Sequence, residues 1–149
     1  MSAGARAWRL LRSFWVAVSA RGNAMWREDA NDDAFVPIES EVALASWLER
    51  PGPTLVLLHD PYCPISRVAQ RDVSRLAEPI ALIDVAAAPE LSEVIEERTG
   101  IRHESPQIIL LRDGAPVWSA SHYRVTESGV TDAIAKTGTD EAAIDSVVD

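Results

Sequence analysis

Thr54-Leu55-Val56-Leu57-Leu58-His59-Asp60-Pro61-Tyr62-Cys63-Pro64-Ile65-Ser66 passes from an unbroken apolar run, through a polar turn, into a cysteine followed by proline. Residues 54–58, rich in leucine and valine, have the pattern of a central strand buried on both faces. Beyond the turn, Ile65, Val68, Ala69, Val73 and Leu76 recur at helical spacing, with Arg67, Gln70, Arg71 and Arg75 on the other side. Pro64 suits a first helical turn, where a backbone N–H has no partner in any case. Cys63 is therefore expected at a helix N-terminus directly after a buried strand.

Working outward, Ser40 is placed to cap a short helix whose Val42, Leu44, Ala45, Trp47 and Leu48 form an apolar side, and Pro51-Gly52-Pro53 stops it. Residues 80–85 read as a second apolar strand. Pro89 starts a helix with Leu91, Val94 and Ile95 on one face, and Gly100 ends it. This β-α-β-α order predicts parallel pairing. Residues 107–111 and 116–120 are two short strands joined by Asp113-Gly114, a hairpin signal, so antiparallel pairing follows. A last helix is expected over 127–136, with Thr126 as cap, Val125 and Val130 as a hydrophobic staple, and Gly138 as terminator. The expected fold class is α/β, in the order β-α-β-α-β-β-α with a mixed central sheet.

The chain has 149 residues, 47% apolar and 25% charged, enough to close one core without staples. Residues 38–136 are expected to form that domain. Residues 25–37, with Glu28, Asp29, Asn31, Asp32 and Asp33, read as an acidic, solvated lead-in, with structure beginning after Pro37. Residues 137–149 form an acidic tail whose Ile144, Val147 and Val148 either dock one more turn or fray. Residues 1–24 hold Arg6, Arg9, Arg12 and Arg21 and no acid, and read as an extension outside the fold. Two further readings of that stretch stay open. One is a secretory leader, although the apolar run 14–20 is short and is followed by Arg21; the other is a basic amphipathic helix with Trp8, Leu11, Trp15 and Val18. Met25 is a candidate alternative start.

A net charge of −9, with Lys136 the only lysine, disfavours nucleic-acid phosphates and anionic membrane surfaces as partners. No apolar run approaches the ~18 residues that a membrane span needs. A cytoplasmic location is the expectation.

The one cysteine excludes an internal disulfide and a multi-cysteine zinc site. The ordinary reading of a lone cysteine is a buried, inert small hydrophobe. At a helix start, however, sulfur lies beside unpaired backbone N–H groups and the positive end of the helix dipole, and both stabilise the thiolate that attacks disulfides. Arg67 and Arg71 add positive potential. Ser66 is placed to donate a hydrogen bond to that thiolate. His59, at the end of the strand, either tunes Cys63 or simply caps the strand. His59, His103 and His122 show no ligand spacing with Cys63, so no metal site is expected. Ser105-Pro106 stands just before a strand, where proline fits either the first strand residue or a tight cis turn.

Tyr62-Cys63-Pro64-Ile65-Ser66, Ile101-Arg102-His103-Glu104-Ser105-Pro106-Gln107 and Ala120-Ser121-His122-Tyr123 together resemble the monothiol bacilliredoxins, thioredoxin-like proteins of the bacillithiol system. The likeness covers about residues 36–136. One stretch departs from it: His59-Asp60-Pro61-Tyr62 stands where a more basic, threonine-containing lead-in is expected. The resemblance implies a thioredoxin-like fold, with Cys63 as the redox cysteine and Ser66 in the place of a resolving cysteine. It also implies that Pro106 is the cis-proline beside the sulfur, with Ser105, Pro106 and Gln107 as substrate-binding positions, while His103, Glu104, Gln107 and His122 match recurring positions and His122, like His59 and Arg67, is a candidate to tune Cys63. The implied activity is removal of a low-molecular-weight thiol, bacillithiol or an analogue, from protein mixed disulfides. No tightly bound cofactor is expected; the small thiol is a co-substrate, and S-thiolated client proteins and a reductase are the partners. Two other readings stand beside it. One is a binding module that grips an extended backbone at Pro106; the other is a monothiol iron–sulfur carrier, for which Pro64-Ile65-Ser66 lacks the glycine-containing motif.

Overall fold

In a computed structural model of the chain, residues 31–145 are described, with side chains to residue 138. The expectations for residues 1–24, and for the first part of the acidic lead-in, fall outside the described residues. Within them the elements are β1 (Phe35–Pro37), α1 (Glu41–Leu48), β2 (Pro53–His59), α2 (Pro64–Val73), β3 (Ile80–Asp84), α3 (Pro89–Thr99), β4 (Gln107–Arg112), β5 (Ala115–Ser121) and α4 (Glu127–Asp145).

One five-stranded sheet has the order β1-β3-β2-β4-β5. The apolar run that opens the sequence argument is its central strand. It pairs parallel with β3 through Leu55↔Ile80 and His59↔Asp84, and antiparallel with β4 through Leu55↔Leu110 and Leu58↔Gln107. Period-two alternation sends its residues to opposite faces. Leu55 and Leu57 join Ala69 and Val73 of α2 and Val130 and Ala133 of α4 on one face. Val56 and Leu58 join Leu44 and Leu48 of α1 and Leu91 and Ile95 of α3 on the other. The result is three layers with helices on both sides of a mixed sheet, an α/β thioredoxin-type arrangement.

Local chemistry sets the ends of these elements. Ser40 Oγ accepts from Ala43 N–H at 3.2 Å and Thr126 Oγ1 from Gly129 N–H at 3.1 Å, so both expected caps form. Val125 and Val130 are buried in the same cluster. The hairpin turn places Asp113 at φ 50 and Gly114 at φ 82, the paired left-handed geometry that a tight two-residue connection needs. Gly52 N–H donates to Asp113 Oδ1 at 2.7 Å, tying this turn to the start of β2.

Two boundaries and one helix face differ from the sequence expectation. The 25–37 stretch is not wholly a solvated lead-in: Asp32–Ala34 form a 3-10 turn and β1 pairs parallel with β3 through Phe35↔Ile80 and Pro37↔Leu82. Ala34 is buried and Phe35 packs against the core, and these two apolar residues outweigh the preceding acids. Gly138 does not end α4, which continues to Asp145. A lone glycine costs a helix only about 1 kcal/mol and no proline follows to enforce a stop. Finally, α2 turns Ser66, Ala69 and Val73 inward, while Val68 is 69% exposed.

Candidate functional site

Cys63 is the N-cap of α2, extended at φ −94 and ψ 120. The turn before it is fixed by its own polar groups: Tyr62 N–H donates to Asp60 Oδ1 at 2.9 Å and Cys63 N–H to Asp60 O at 3.1 Å. Arg67 N–H donates to Cys63 O at 3.2 Å, closing the first helical turn. Pro64 has no N–H. The amides of Ile65 and Ser66 are first-turn donors with no side-chain cap, and they point toward the place an N-cap side chain occupies. Cys63 itself is half-buried beside an exposed Tyr62.

Ser66 is fully buried, and its hydroxyl serves the loop. Its Oγ accepts from Asp60 N–H at 3.3 Å and lies 3.5 Å from Ser105 Oγ. No hydrogen bond joins it to Cys63 Sγ, which corrects the expectation that this hydroxyl serves the thiolate. The two serines instead link the cysteine turn to the loop that carries Pro106. The Ser105–Pro106 peptide bond is cis, and Pro106 is buried. Its carbonyl accepts from His122 N–H at 2.8 Å.

Gln107 is buried, with Nε2 donating to Arg102 O at 3.0 Å and Oε1 accepting from Glu104 N–H at 3.3 Å. Its side chain therefore braces the loop from beneath instead of facing the opening. His122 adopts φ 54, and its half-exposed ring has Nδ1 at 3.8 Å from Glu104 Oε2. His103 faces another way: its Nδ1 is 3.0 Å from Glu96 Oε2, and this hydrogen bond holds the Glu96 carboxyl below the usual carboxylate range.

His59 is buried at the end of β2, and burial pushes its imidazole pKa down. The Ser66 backbone, then Asp84 and Asp60, oppose that shift, while Arg67 reinforces it. Its Nδ1 is buried without a hydrogen-bond partner. The ring is thus a neutral group packed under the site. Arg67 is exposed on the outer side of α2. Among the described residues no group of three or more His, Cys, Asp or Glu side chains could hold a metal ion, and no helix is long and apolar enough to cross a membrane.

The structure therefore brings Cys63, Pro64, Ile65, Ser66, Ser105, Pro106 and His122 to one end of the sheet, and leaves the side chains of Gln107 and His103 committed elsewhere. Sequence reasoning missed the Glu104–His122 pairing and the hydroxyl link, because both join segments far apart in the chain. It also missed the exposed Val68 and Tyr123, which local periodicity cannot tell from core residues.

A central strand delivering a cysteine to a helix start, opposed by a cis-proline loop, defines a thioredoxin-fold protein of the thiol redox class. The chain belongs to the monothiol bacilliredoxin BrxC family, whose pattern matches residues 37–130. Among solved structures it is similar to a thioredoxin-fold protein described as a proposed oxidoreductase, with 25% identity, a TM-score of 0.63, and 68% of this chain and 94% of that one covered. A thioredoxin variant from Halobacterium salinarum aligns at 17% identity and TM-score 0.56, covering 70% of this chain and 91% of its own. Mitochondrial thioredoxin 3 from Saccharomyces cerevisiae aligns at 11% and 0.56, covering 70% and 96%. The last two likenesses support the fold alone.

Proposed function

We propose that the protein is a monothiol thiol–disulfide oxidoreductase that removes a small thiol, bacillithiol by family, from S-thiolated client proteins. The observation that carries this reading is the solitary Cys63 at the N-cap of α2, with the Ile65 and Ser66 amides free to stabilise an anionic sulfur. The Cys63 thiolate attacks the small-thiol sulfur of the mixed disulfide. A new S–S bond forms between Cys63 and the small thiol, the old S–S bond breaks, and the client sulfur leaves as a thiolate that takes a proton from water. Oxidation state is conserved overall, because one disulfide replaces another.

No second cysteine exists to resolve the adduct, so a second molecule of the small thiol attacks it. That step returns Cys63 as a thiol and releases the symmetric small-thiol disulfide, which a separate reductase consumes. The reaction belongs to the reducing cytoplasm, where disulfides of this kind are transient. The test is to present one model client protein as its mixed disulfide with bacillithiol, with glutathione and with cysteine, and to follow client thiol release. Faster release from the bacillithiol form supports the reading. Equal rates with all three would reduce it to unspecific exchange, and no release from any would overturn it.

A further inference from the structure

α2 has two apolar sides, and the fold uses only one. Ser66, Ala69 and Val73 face the core, yet Val68 stands 69% exposed and Ile65 is half-buried on the outer side. Opposite them the 3-10 turn His122–Arg124 presents Tyr123, 81% exposed. Between the two lies a groove of about 510 Å³, floored by Pro64, Ile65, Val68, Ala69 and Val125. That volume suits insertion of apolar side chains from a partner.

In a chain of net charge −9 the groove's lining carries two arginines against one acid. Arg71 and Arg75 line one wall. The only acid among the lining residues, Asp72, is already occupied: Oδ1 takes Arg75 at 3.2 Å, and Oδ2 accepts Glu127 N–H at 2.7 Å. Arg71 is exposed, and among the described residues no carboxylate is bonded to it. The groove's near end is Pro64 and His122, the one adjoining Cys63 and the other bonded to the Pro106 carbonyl. A chain lying here is therefore continuous with a sulfur presented to Cys63.

We infer that this groove binds the client polypeptide beside its thiolated cysteine, selecting a segment with an apolar side chain over Val68 and a carboxylate facing Arg71. The inference rests on the exchange reading and adds the kind of client it acts on. The apolar floor supplies contact area and Arg71 supplies choice of partner and faster encounter.

The probes are two short peptides, each with one cysteine carried as a bacillithiol mixed disulfide and each with a leucine nearby, flanked by glutamates in one and lysines in the other. Symmetric bacillithiol disulfide, too small to need the groove, is the control. The wild type should take the thiol from the glutamate peptide about ten-fold faster than from the lysine peptide, the difference shrinking with salt. Val68→Glu, at an exposed position that the fold does not need, should erase or invert that preference. It should leave adduct formation from the small disulfide within about two-fold. Equal use of both peptides by the wild type, or an unchanged preference in Val68→Glu, overturns the inference. If even the small disulfide fails to react, the exchange reading itself is lost. The groove is then judged by nuclear magnetic resonance with the glutamate peptide carrying serine for cysteine: saturable shifts at Val68, Arg71 and Tyr123 support it, and their absence ends it.

Discussion

Ser66→Ala should loosen the cysteine turn without changing the sulfur's immediate surroundings. The substitution removes the acceptor of Asp60 N–H at 3.3 Å and the neighbour of Ser105 Oγ at 3.5 Å. An orphaned buried donor costs about 1–3 kcal/mol, and because both contacts are long and only part-buried the loss here is about 1–1.5 kcal/mol. Alanine returns about 0.5 kcal/mol as the better helix former, leaving a net destabilisation of about 0.5–1 kcal/mol. Urea unfolding followed by tryptophan fluorescence should show a lower midpoint at unchanged slope, and hydrogen exchange should report faster opening at the Asp60 amide. Alkylation of Cys63 by iodoacetamide at fixed pH should stay within about three-fold of wild type, since the Ile65 and Ser66 amides remain. A fall of more than about ten-fold, with Asp60 protection intact, would mean the hydroxyl bonds to sulfur instead and would refute this geometry.

Three further outcomes follow from the same contacts. His59 is held neutral by burial, so its folded pKa lies below the unfolded value of 6.5. Stability is kept above that pH and lost as pH falls through it, with a slope of at most about 1.4 kcal/mol per pH unit. His59→Gln should flatten that slope in unfolding measured at several pH values, and an identical slope would remove His59 as its source. Asp72→Ala deprives Glu127 N–H of a 2.7 Å acceptor at the start of α4 and should cost about 1–2 kcal/mol in urea; no loss would show that the cap is dispensable. Glu104→Gln breaks a half-exposed pair at 3.8 Å and should change stability by less than about 0.5 kcal/mol, a larger loss indicating a structural role.

Much of this architecture was legible in the chain. The apolar run into Cys63-Pro64, the Asp113-Gly114 turn and the Ser40 and Thr126 caps are local signals, and each formed as its chemistry requires. β1 was hidden because three residues beside a cluster of acids carry too little pattern, and its pairing depends on the exposed edge of β3. The outward side of α2 was misread because Val68 fits the helical spacing of core residues, while the inward place is taken by Ser66, a polar residue satisfied by a loop amide. The placement of Cys63 at a helix start and of Pro106 just ahead of β4 was legible. The bracing by Gln107 and the approach of Glu104 to His122 depend on loop closure, which no spacing in the sequence encodes.

The central claim is that Cys63 alone accepts the small thiol, and intact-mass analysis during client turnover tests it most directly. The wild type incubated with a bacillithiol-modified client should gain one small-thiol adduct on Cys63 as an equal amount of free client thiol appears. Cys63→Ala should gain no adduct and release none. Undiminished release by Cys63→Ala, or client release without any adduct on the wild type, would contradict the account.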